Sequence, residues 1–169
     1  MADKPEFDWI CIDSPLGPLT VTATAEAITD IDWRGRPGTA SGTSPLLAEA
    51  ARQLQAYFAD GHFRFDLPLQ PGGSRFQRAV WDFMCAIPAG STRTYGECAR
   101  AIGGLAGSDA RAVGQACGAN PIPVIIPCHR ILAAGGEAGG YSGKGGVNTK
   151  QWLLRHEGAY VPPQQVSLF

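Results

Sequence analysis

The most informative stretch of the chain is Asn120-Pro121-Ile122-Pro123-Val124-Ile125-Ile126-Pro127-Cys128-His129-Arg130-Ile131. Its three prolines fix φ and remove backbone donors, and its β-branched residues are stiff at χ1. We therefore predict that the segment is not helical and that it holds Cys128 rigidly. A thiol becomes a strong nucleophile only as the thiolate, which a neighbouring imidazole can favour. Cys128 beside His129 is thus a candidate nucleophile, although a buried free cysteine can also be an inert packing residue.

Helix signals lie on the N-terminal side of this stretch and predict three helices. The signals are Ser74 as the N-cap of a helix that ends at Ile87-Pro88, the capping-box pattern Thr94-Tyr95-Gly96-Glu97 at the start of a helix to about residue 102, and Ser108-Asp109 before a helix over 110–117 that Gly118 terminates. A glycine-rich turn at 103–107 separates the last two helices. This arrangement predicts a helix-turn-helix.

The third of these helices carries few long side chains. Only Arg111 and Gln115 are large and polar, whereas Ala110, Ala112 and Gly114 are small. A helix that reads base edges in the major groove needs several long polar groups. Small residues instead permit close approach to the minor groove, where one inserted side chain can displace a base. They can equally serve only to pack one helix against another.

The string Asn-Pro-x-Pro-x-x-x-Pro-Cys-His-Arg at 120–130 resembles the active-site signature of the O6-alkylguanine-DNA alkyltransferases. These DNA-repair proteins accept an alkyl group on their own cysteine. The resemblance continues at 141–143 (Tyr-Ser-Gly) and at 153–158 (Leu-Leu-Arg-His-Glu-Gly), so it covers the second half of the chain. It implies an α+β fold with a small, ribonuclease-H-like N-terminal α/β domain (1–73), a mainly helical domain with a winged-helix-like helix-turn-helix (74–160) and an extended tail (161–169).

The same resemblance implies a reaction. Alkyl groups on O6 of guanine, and on O4 of thymine, would move from a flipped-out base to Cys128 in a single turnover, without a cofactor. His129 is expected to take the thiol proton, directly or through water, while Glu157 orients its imidazole and Asn120 braces the segment around Cys128. From the residues alone, Glu157 could be only a structural ion-pair partner.

Further residues acquire roles by resemblance. Arg111 would fill the gap left by the flipped base, with Ala110, Ala112, Gly114 and Gln115 against the DNA. Tyr95 would crowd a phosphate and donate a proton to the flipped purine, although it could be a mere surface residue at a helix start. The pocket for the base and its alkyl group would comprise Pro123, Val124, Tyr141, Ser142, Gly143 and Lys150. The glycine-rich run from Gly143 to Asn148 is longer than the family pattern.

Two other classes of function remain open. A lesion sensor would keep the fold and flag the damaged base without reaction, but the presence of Cys128 argues against it. A thiol hydrolase using Cys128 and His129 would need turnover and an oxyanion hole, for which we find no signal.

The N-terminal half reads as a scaffold without a chemical motif. Segments 7–13, 19–24 and 27–33 predict a β-meander. Apolar residues at helical spacing, among them Leu54 and Tyr57, predict a helix from Ser44 to Asp60-Gly61 that covers the sheet. The alternation of Phe63, Phe65, Leu67 and Leu69 predicts a last strand, and 70–73 (Gln-Pro-Gly-Gly) is the expected domain boundary. A final helix is predicted from 148 or 149 to Glu157, with Gly158 as its stop.

Charge and cysteine content narrow the possible partners. Residues 1–73 carry five Lys/Arg and ten Asp/Glu, a balance of −5, whereas 74–169 carry nine and five, a balance of +4. Only the second half is therefore expected to face a polyanion such as double-stranded DNA. Five cysteines without a Cys-x-x-Cys pair argue against a disulfide framework. Some family members hold zinc in the N-terminal domain, but this one offers only Cys11 and His62, so we expect no metal.

Two expectations concern location and partners. Because no apolar run reaches the length of a membrane span and no signal-peptide core follows Met1, we expect a cytoplasmic monomer without a membrane partner. The tail ends in Gln165-Val166-Ser167-Leu168-Phe169, which is similar to the short peptide with which bacterial repair proteins bind the sliding clamp. Its two apolar residues could instead dock on the protein's own surface.

Overall fold

The structure is a computed structural model, which describes residues 6–35, 38, 40–103, 109–135 and 146–159. It begins with a three-stranded antiparallel sheet of β1 (Asp8–Ile12), β2 (Leu19–Ala23) and β3 (Ile28–Asp32) in the order β1-β2-β3. Asp8 pairs with Ala23, and Thr20 pairs with Asp32. The predicted meander is confirmed, with each strand slightly shorter than expected.

One helix, α1 (Pro45–Ala59), covers the sheet as predicted. The Ser44 side chain caps its first turn by accepting a hydrogen bond from the backbone NH of Leu47, and Asp60 ends it. Its apolar face, which includes Leu47, Leu54 and the fully buried Tyr57, joins the core. The apolar periodicity and the local cap were therefore sufficient to predict this helix from the sequence.

The predicted strand over 63–69 is wrong. This segment makes only one isolated parallel bridge, between Ile28 and Leu69. The Gln53 side chain engages both backbone groups of Asp66, accepting from its NH at 2.8 Å and donating to its carbonyl at 3.0 Å. Pro68 has no NH to offer to a ladder. The alternating apolar residues still pack on the core, but the segment joins β3 only at Ile28, and the backbone of Asp66 bonds to a side chain.

The C-terminal domain contains four helices within its described residues: α2 (Arg75–Cys85), α3 (Tyr95–Ala101), α4 (Ala110–Gly118) and α5 (Val147–His156). Capping boxes pair Ser74 with Gln77 and Thr94 with Glu97. Gly118 is the last residue of α4 instead of its stop. The short strands β4 (Arg93–Thr94) and β5 (Ile131–Leu132), which the sequence analysis did not predict, pair in parallel.

A single 3₁₀ turn, Cys128–Arg130, contradicts the prediction that the proline-rich stretch is free of helix. Pro127 stands at the N-cap of this turn, where no backbone donor is needed, so it does not prevent the turn that follows. The backbone NH of Arg130 donates to the carbonyl of Pro127 at 3.0 Å. Cys128 is therefore held by a helical turn as well as by the prolines.

The two domains share one hydrophobic core, which runs from Val21 and Leu54 to Val80 and Leu153. The backbone NH of Ile31 in β3 also donates to the carbonyl of Pro121 at 2.9 Å, which ties the sheet to the segment before Cys128. The exact division of the chain after residue 73 stays a prediction. None of the described helices is both long and apolar enough to cross a membrane.

Candidate active site

The segment before Cys128 is a tight loop closed by one side chain. Nδ2 of Asn120 donates to the carbonyl of Ile126 at 2.8 Å, and its Oδ1 accepts from the NH of Ile122 at 2.9 Å. Between these contacts Val124 adopts φ = +74°, which is strained for a β-branched residue. Asn120 thus stabilises a backbone conformation that Val124 would not adopt by itself.

Behind Cys128 lies a buried polar network centred on Glu157, the residue that follows α5. Nε2 of His129 lies 2.6 Å from Oε1 of Glu157. Nε and Nη2 of Arg130 donate to Oε2 and Oε1 at 2.9 Å each, and Nη1 donates to the carbonyl of Ile87. His129 and Glu157 are both fully buried. A carboxylate with this many donors is well compensated for its burial.

The protonation states follow from this arrangement. Burial lowers the pKa of His129, and the hydrogen bond to Glu157 only partly offsets that effect. Burial alone would raise the pKa of Glu157, but the hydrogen bonds from His129 and Arg130 and the charge of the Arg130 guanidinium hold it at about 2. At neutral pH Glu157 is therefore an anion and His129 is neutral, with its proton on Nε2. Nδ1 of His129 is left as a basic lone pair, and within the described residues this buried atom makes no hydrogen bond.

A buried cation lies on another side of Cys128. Lys150 in α5 is almost completely buried, and its Nζ donates to the carbonyl of Ile131 at 2.6 Å. Nζ also lies 5.8 Å from the centroid of the Tyr95 ring. Burial lowers the pKa of Lys150 to about 8, while the thiols of Cys128 and Cys117 act to raise it. Lys150 therefore keeps most of its charge at neutral pH and lies where it can favour a thiolate.

Tyr95 joins this group to α4. Burial, followed by the neighbouring thiols Cys117 and Cys128, raises its pKa to about 12, so its phenol stays protonated and can donate. A Cβ on Gly114 would lie 3.9 Å from the Tyr95 ring, which places the small-residue face of α4 beside it. Ala110, Arg111 and Gln115 are exposed, Ala112 and Gly114 are half-buried, and Val113, Ala116 and Cys117 pack inward. Packing against the core therefore accounts for the residues on only one face of α4, that of Val113, Ala116 and Cys117.

The structure therefore brings several of the candidate residues together and leaves others outside its description. Asn120, Cys128, His129, Glu157, Tyr95 and Lys150 lie around one site, with Pro123 and Val124 buried in the adjoining loop. Tyr141, Ser142 and Gly143 lie outside the described residues. No group of three or more His, Cys, Asp or Glu side chains that could hold a metal occurs in the described part of the chain.

Two members of the site were missed in the sequence. Arg130 was visible within the motif, but nothing local indicated that its guanidinium would bind Glu157. Tyr57 was assigned only to the apolar face of α1, yet its hydroxyl donates to Oε1 of Glu157 at 2.8 Å. A phenol on the apolar face of a predicted helix was the available signal, because a Tyr hydroxyl that becomes buried needs a polar partner.

Both halves of the chain match domains of one known protein family. Residues 9–71 match the ribonuclease-like domain of 6-O-methylguanine DNA methyltransferase, and residues 75–159 match its DNA binding domain. Proteins named methylated-DNA–protein-cysteine methyltransferase from Methanosarcina acetivorans and Mycobacterium bovis are 40% and 42% identical to the chain. The alignments cover 87% and 89% of this chain and 96% and 92% of those relatives.

Among solved structures, Mycobacterium tuberculosis OGT in complex with DNA is 40% identical, with a TM-score of 0.77, over 91% of this chain and 94% of that one. A second crystal structure, of Mycobacterium tuberculosis O6-methylguanine methyltransferase, has a TM-score of 0.75 and 38% identity over 94% and 97% of the two chains. Both matches span the two domains, so the α+β fold is confirmed together with the resemblance. The chain belongs to the methylated-DNA–protein-cysteine methyltransferase family.

Proposed function

We propose that this protein repairs DNA by moving the alkyl group of O6-alkylguanine, and of O4-alkylthymine, onto Sγ of Cys128. The observation that carries the proposal is the position of Cys128 beside His129, a neutral imidazole whose Nε2 is bound to the buried anion Glu157. This is the nucleophile, base and orienting group of covalent catalysts. The membership of the family and the match to its DNA binding domain support alkylated DNA as the substrate.

The reaction balances with the groups at this site. Nδ1 of His129 takes the thiol proton, directly or through a water, and Glu157 stabilises the imidazolium that forms. Sγ of Cys128 attacks the alkyl carbon, the carbon to O6 bond breaks, and its electron pair moves to the base. Tyr95 donates its phenolic proton to the base as O6 departs. The nearby cation of Lys150 favours the thiolate before attack and stabilises the phenolate afterwards.

The product explains why the protein acts only once. S-alkylcysteine is a thioether, and its thiolate is a poor leaving group toward water. Each molecule therefore inactivates itself, and the lesion supplies the only group that is transferred, so the reaction requires no cofactor. The loop that Asn120 braces binds the base through Pro123 and Val124. Tyr141, Ser142 and Gly143 complete the pocket.

Attack on O6 requires the base to leave the stack, and α4 is suited to this task. Arg111 is exposed at the start of the helix, and the small residues Ala110, Ala112 and Gly114 allow the backbone to approach the minor groove, with Gln115 one turn further on. Arg111 fills the space that the base vacates. Tyr95, beside Gly114, crowds the phosphate and favours rotation of the nucleotide.

We predict that Arg111→Ala slows repair of a duplex by about 100-fold, because one inserted side chain replaces stacking worth a few kcal/mol. Its reaction with a free O6-alkylguanine base should change less than twofold, since a free base needs no flipping. Arg52→Ala, which removes an exposed arginine from α1 of the N-terminal domain, serves as the matched control. Equal losses on duplex and free base would instead make Arg111 a structural residue.

One measurement tests the function directly. The protein is incubated with a duplex oligonucleotide that contains O6-methylguanine, and its mass and tryptic peptides are then determined. We expect one methyl group per molecule, located on Cys128, with an equal amount of lesion consumed. Bound lesion without reaction would instead indicate a sensor, and product without protein modification would indicate a thiol hydrolase.

The other cysteines provide an internal control for this measurement. Burial raises the pKa of Cys98 to about 11 and that of Cys117 to about 12. These thiols stay protonated at neutral pH and should remain unmodified.

The proposal also includes the oligomeric state and the location. The protein acts as a monomer in the cytoplasm, where its DNA substrate lies.

The last part of the proposal is that Gln165, Val166, Ser167, Leu168 and Phe169 attach the protein to the sliding clamp. These residues lie outside the described part of the chain, and the support is their similarity to the clamp-binding peptide. An extended apolar peptide at a chain end suits insertion into a preformed groove. Attachment to the clamp would assist a repair protein that must search DNA.

Deletion of 165–169 should abolish binding to purified clamp, because it removes every anchor of the peptide, while alkyl transfer stays within twofold of the full chain. Surface plasmon resonance measures the first quantity, and methyl transfer from an oligonucleotide measures the second. Replacement of Leu168 and Phe169 by Ala should give the same result as the deletion. Clamp binding that survives both changes would show that the tail is not the tether.

A further inference from the structure

A residue of the N-terminal domain reaches the polar network behind Cys128. Tyr57 lies in α1, 100 positions before Glu157, and its side chain is fully buried. Its hydroxyl donates to Oε1 of Glu157 at 2.8 Å, the same oxygen that accepts from Nε2 of His129 at 2.6 Å. The phenol and the imidazole therefore share one acceptor atom.

A second contact fixes α1 to the end of α5. Nε2 of His156 donates to the backbone carbonyl of Tyr57 at 2.7 Å, and the two rings meet edge to face with centroids 5.3 Å apart. His156 stacks on Trp152 one turn earlier in α5, at 4.8 Å. Because His156 directly precedes Glu157, both the backbone and the side chain of Tyr57 are held at the point where α5 presents its carboxylate.

The position of the Glu157 carboxylate is therefore set by groups from two domains. Arg130 binds both oxygens from one side, and Tyr57 binds Oε1 from α1. The phenol is a neutral donor, so it can restrain Oε1 without adding a charge that competes with His129. Loss of this donor would leave Oε1 less well solvated and hence a stronger acceptor for His129.

We propose that Tyr57 is a positioning residue for alkyl transfer, which acts on the base His129 through the shared oxygen of Glu157. This inference rests on the proposed function, and it gives the N-terminal domain a part in the chemistry. The domain supplies more than a scaffold, because its helix α1 provides a hydrogen bond that orients the base.

The test compares Tyr57→Phe with Thr20→Val. Phe keeps the ring that packs against Phe58 and Phe65 and removes only the hydroxyl. Thr20→Val removes another buried hydroxyl of the same domain, which donates to the carbonyl of Arg34 and not to Glu157. Thermal melts confirm that both variants are folded. Rates of methyl transfer from an oligonucleotide are then measured between pH 5 and 9.

Tyr57→Phe should transfer methyl groups about tenfold more slowly at neutral pH, while Thr20→Val stays within twofold of the native rate. A stronger acceptor at Oε1 raises the pKa of His129, and only neutral His129 can act as a base. The acid limb of the rate profile should therefore move upward by about half a pH unit in Tyr57→Phe. In a Glu157→Gln background the same change should add little, because no carboxylate remains to be oriented.

Alkylation of Cys128 by iodoacetamide gives a second reading that needs no DNA. If the native protein does not take a methyl group from the oligonucleotide, the proposed function falls, yet the iodoacetamide profile still reports thiol activation. An upward shift of that profile in Tyr57→Phe alone supports the positioning role. Unchanged rates and profiles in Tyr57→Phe, or equal losses in both variants without a shift, overturn it.

Discussion

Cys128→Ala should transfer no detectable alkyl group and should still bind duplex DNA with nearly native affinity. The substitution removes the acceptor itself, and loss of a nucleophile in covalent enzymes costs on the order of 10⁶ in rate. On the proposed function, DNA contacts come from α4 and from the basic side chains of the second half, and the substitution removes none of these groups. Methyl transfer is measured by mass spectrometry, and binding is measured by fluorescence anisotropy on an oligonucleotide that contains O6-methylguanine.

Stability separates this effect from unfolding. Cys128 is buried, so the loss of one sulfur atom should cost about 1 kcal/mol of unfolding free energy, which leaves the protein folded. Cys85→Ala is the matched control, because this thiol lies at the surface, outside the site. It should keep full transfer. Methyl transfer by Cys128→Ala, or the loss of methyl transfer in Cys85→Ala, would contradict the assignment of Cys128 as the acceptor.

Glu157→Gln should slow transfer by about 10²- to 10⁴-fold, by analogy with loss of the orienting carboxylate in serine proteases. The amide retains the volume of the carboxylate but presents an NH₂ group to donors on His129 and Arg130. One of them must lose its acceptor, and the favoured tautomer of His129 is lost. The same change leaves the buried guanidinium without its counter-charge, so we expect a stability loss of about 3 kcal/mol.

The effect on stability should depend on pH in a defined direction. The pKa of Glu157 is about 2 in the folded protein, against an ordinary value of 4.5. Its ionised form therefore contributes stability above pH 4.5, and this contribution is lost as the pH falls from 4.5 toward 2. The free energy of unfolding of the native protein, measured with denaturant, should decrease as the pH falls across that window. That of Glu157→Gln should decrease less.

Glu49→Gln is the matched control for this pH dependence. Hydrogen bonds from Arg52 and Gln53 lower the pKa of Glu49 to about 2 as well, but this carboxylate lies on the surface. Solvent and salt screen such pairs, so the substitution should change stability little at any pH. An equal effect of Glu49→Gln and Glu157→Gln, or full transfer by Glu157→Gln, would contradict a special role for the buried carboxylate.

Much of the local structure was determined by the sequence. Ser44, Ser74, Thr94 and Asp109 stand at helix N-caps as predicted, and Gly158 follows the last helix with φ = +75°. A cap needs only a side chain and the backbone of its own first turn, so a few neighbouring residues contain the whole signal. The family resemblance implied that Asn120 is a brace, and both of its partners lie within six residues of it.

Other features were decided only by the tertiary structure. The 63–69 segment has the alternation of a strand, but Gln53 of α1 binds both backbone groups of Asp66, and only Leu69 bridges to the sheet. Pro127 did not reveal the turn at Cys128–Arg130. Arg130 and Tyr57 reach Glu157 from positions 27 and 100 residues away, and no local pattern specifies such a contact.

The protonation states belong to the same class. His129 is kept neutral by burial, and Glu157 is kept ionised by donors that converge on it from both domains. Burial and hydrogen bonding of this kind exist only after the chain has folded, because they depend on which groups meet in three dimensions. The sequence by itself determined which residues could perform the chemistry, and the tertiary structure decided their charge and orientation, since desolvation is a property of the packed interior.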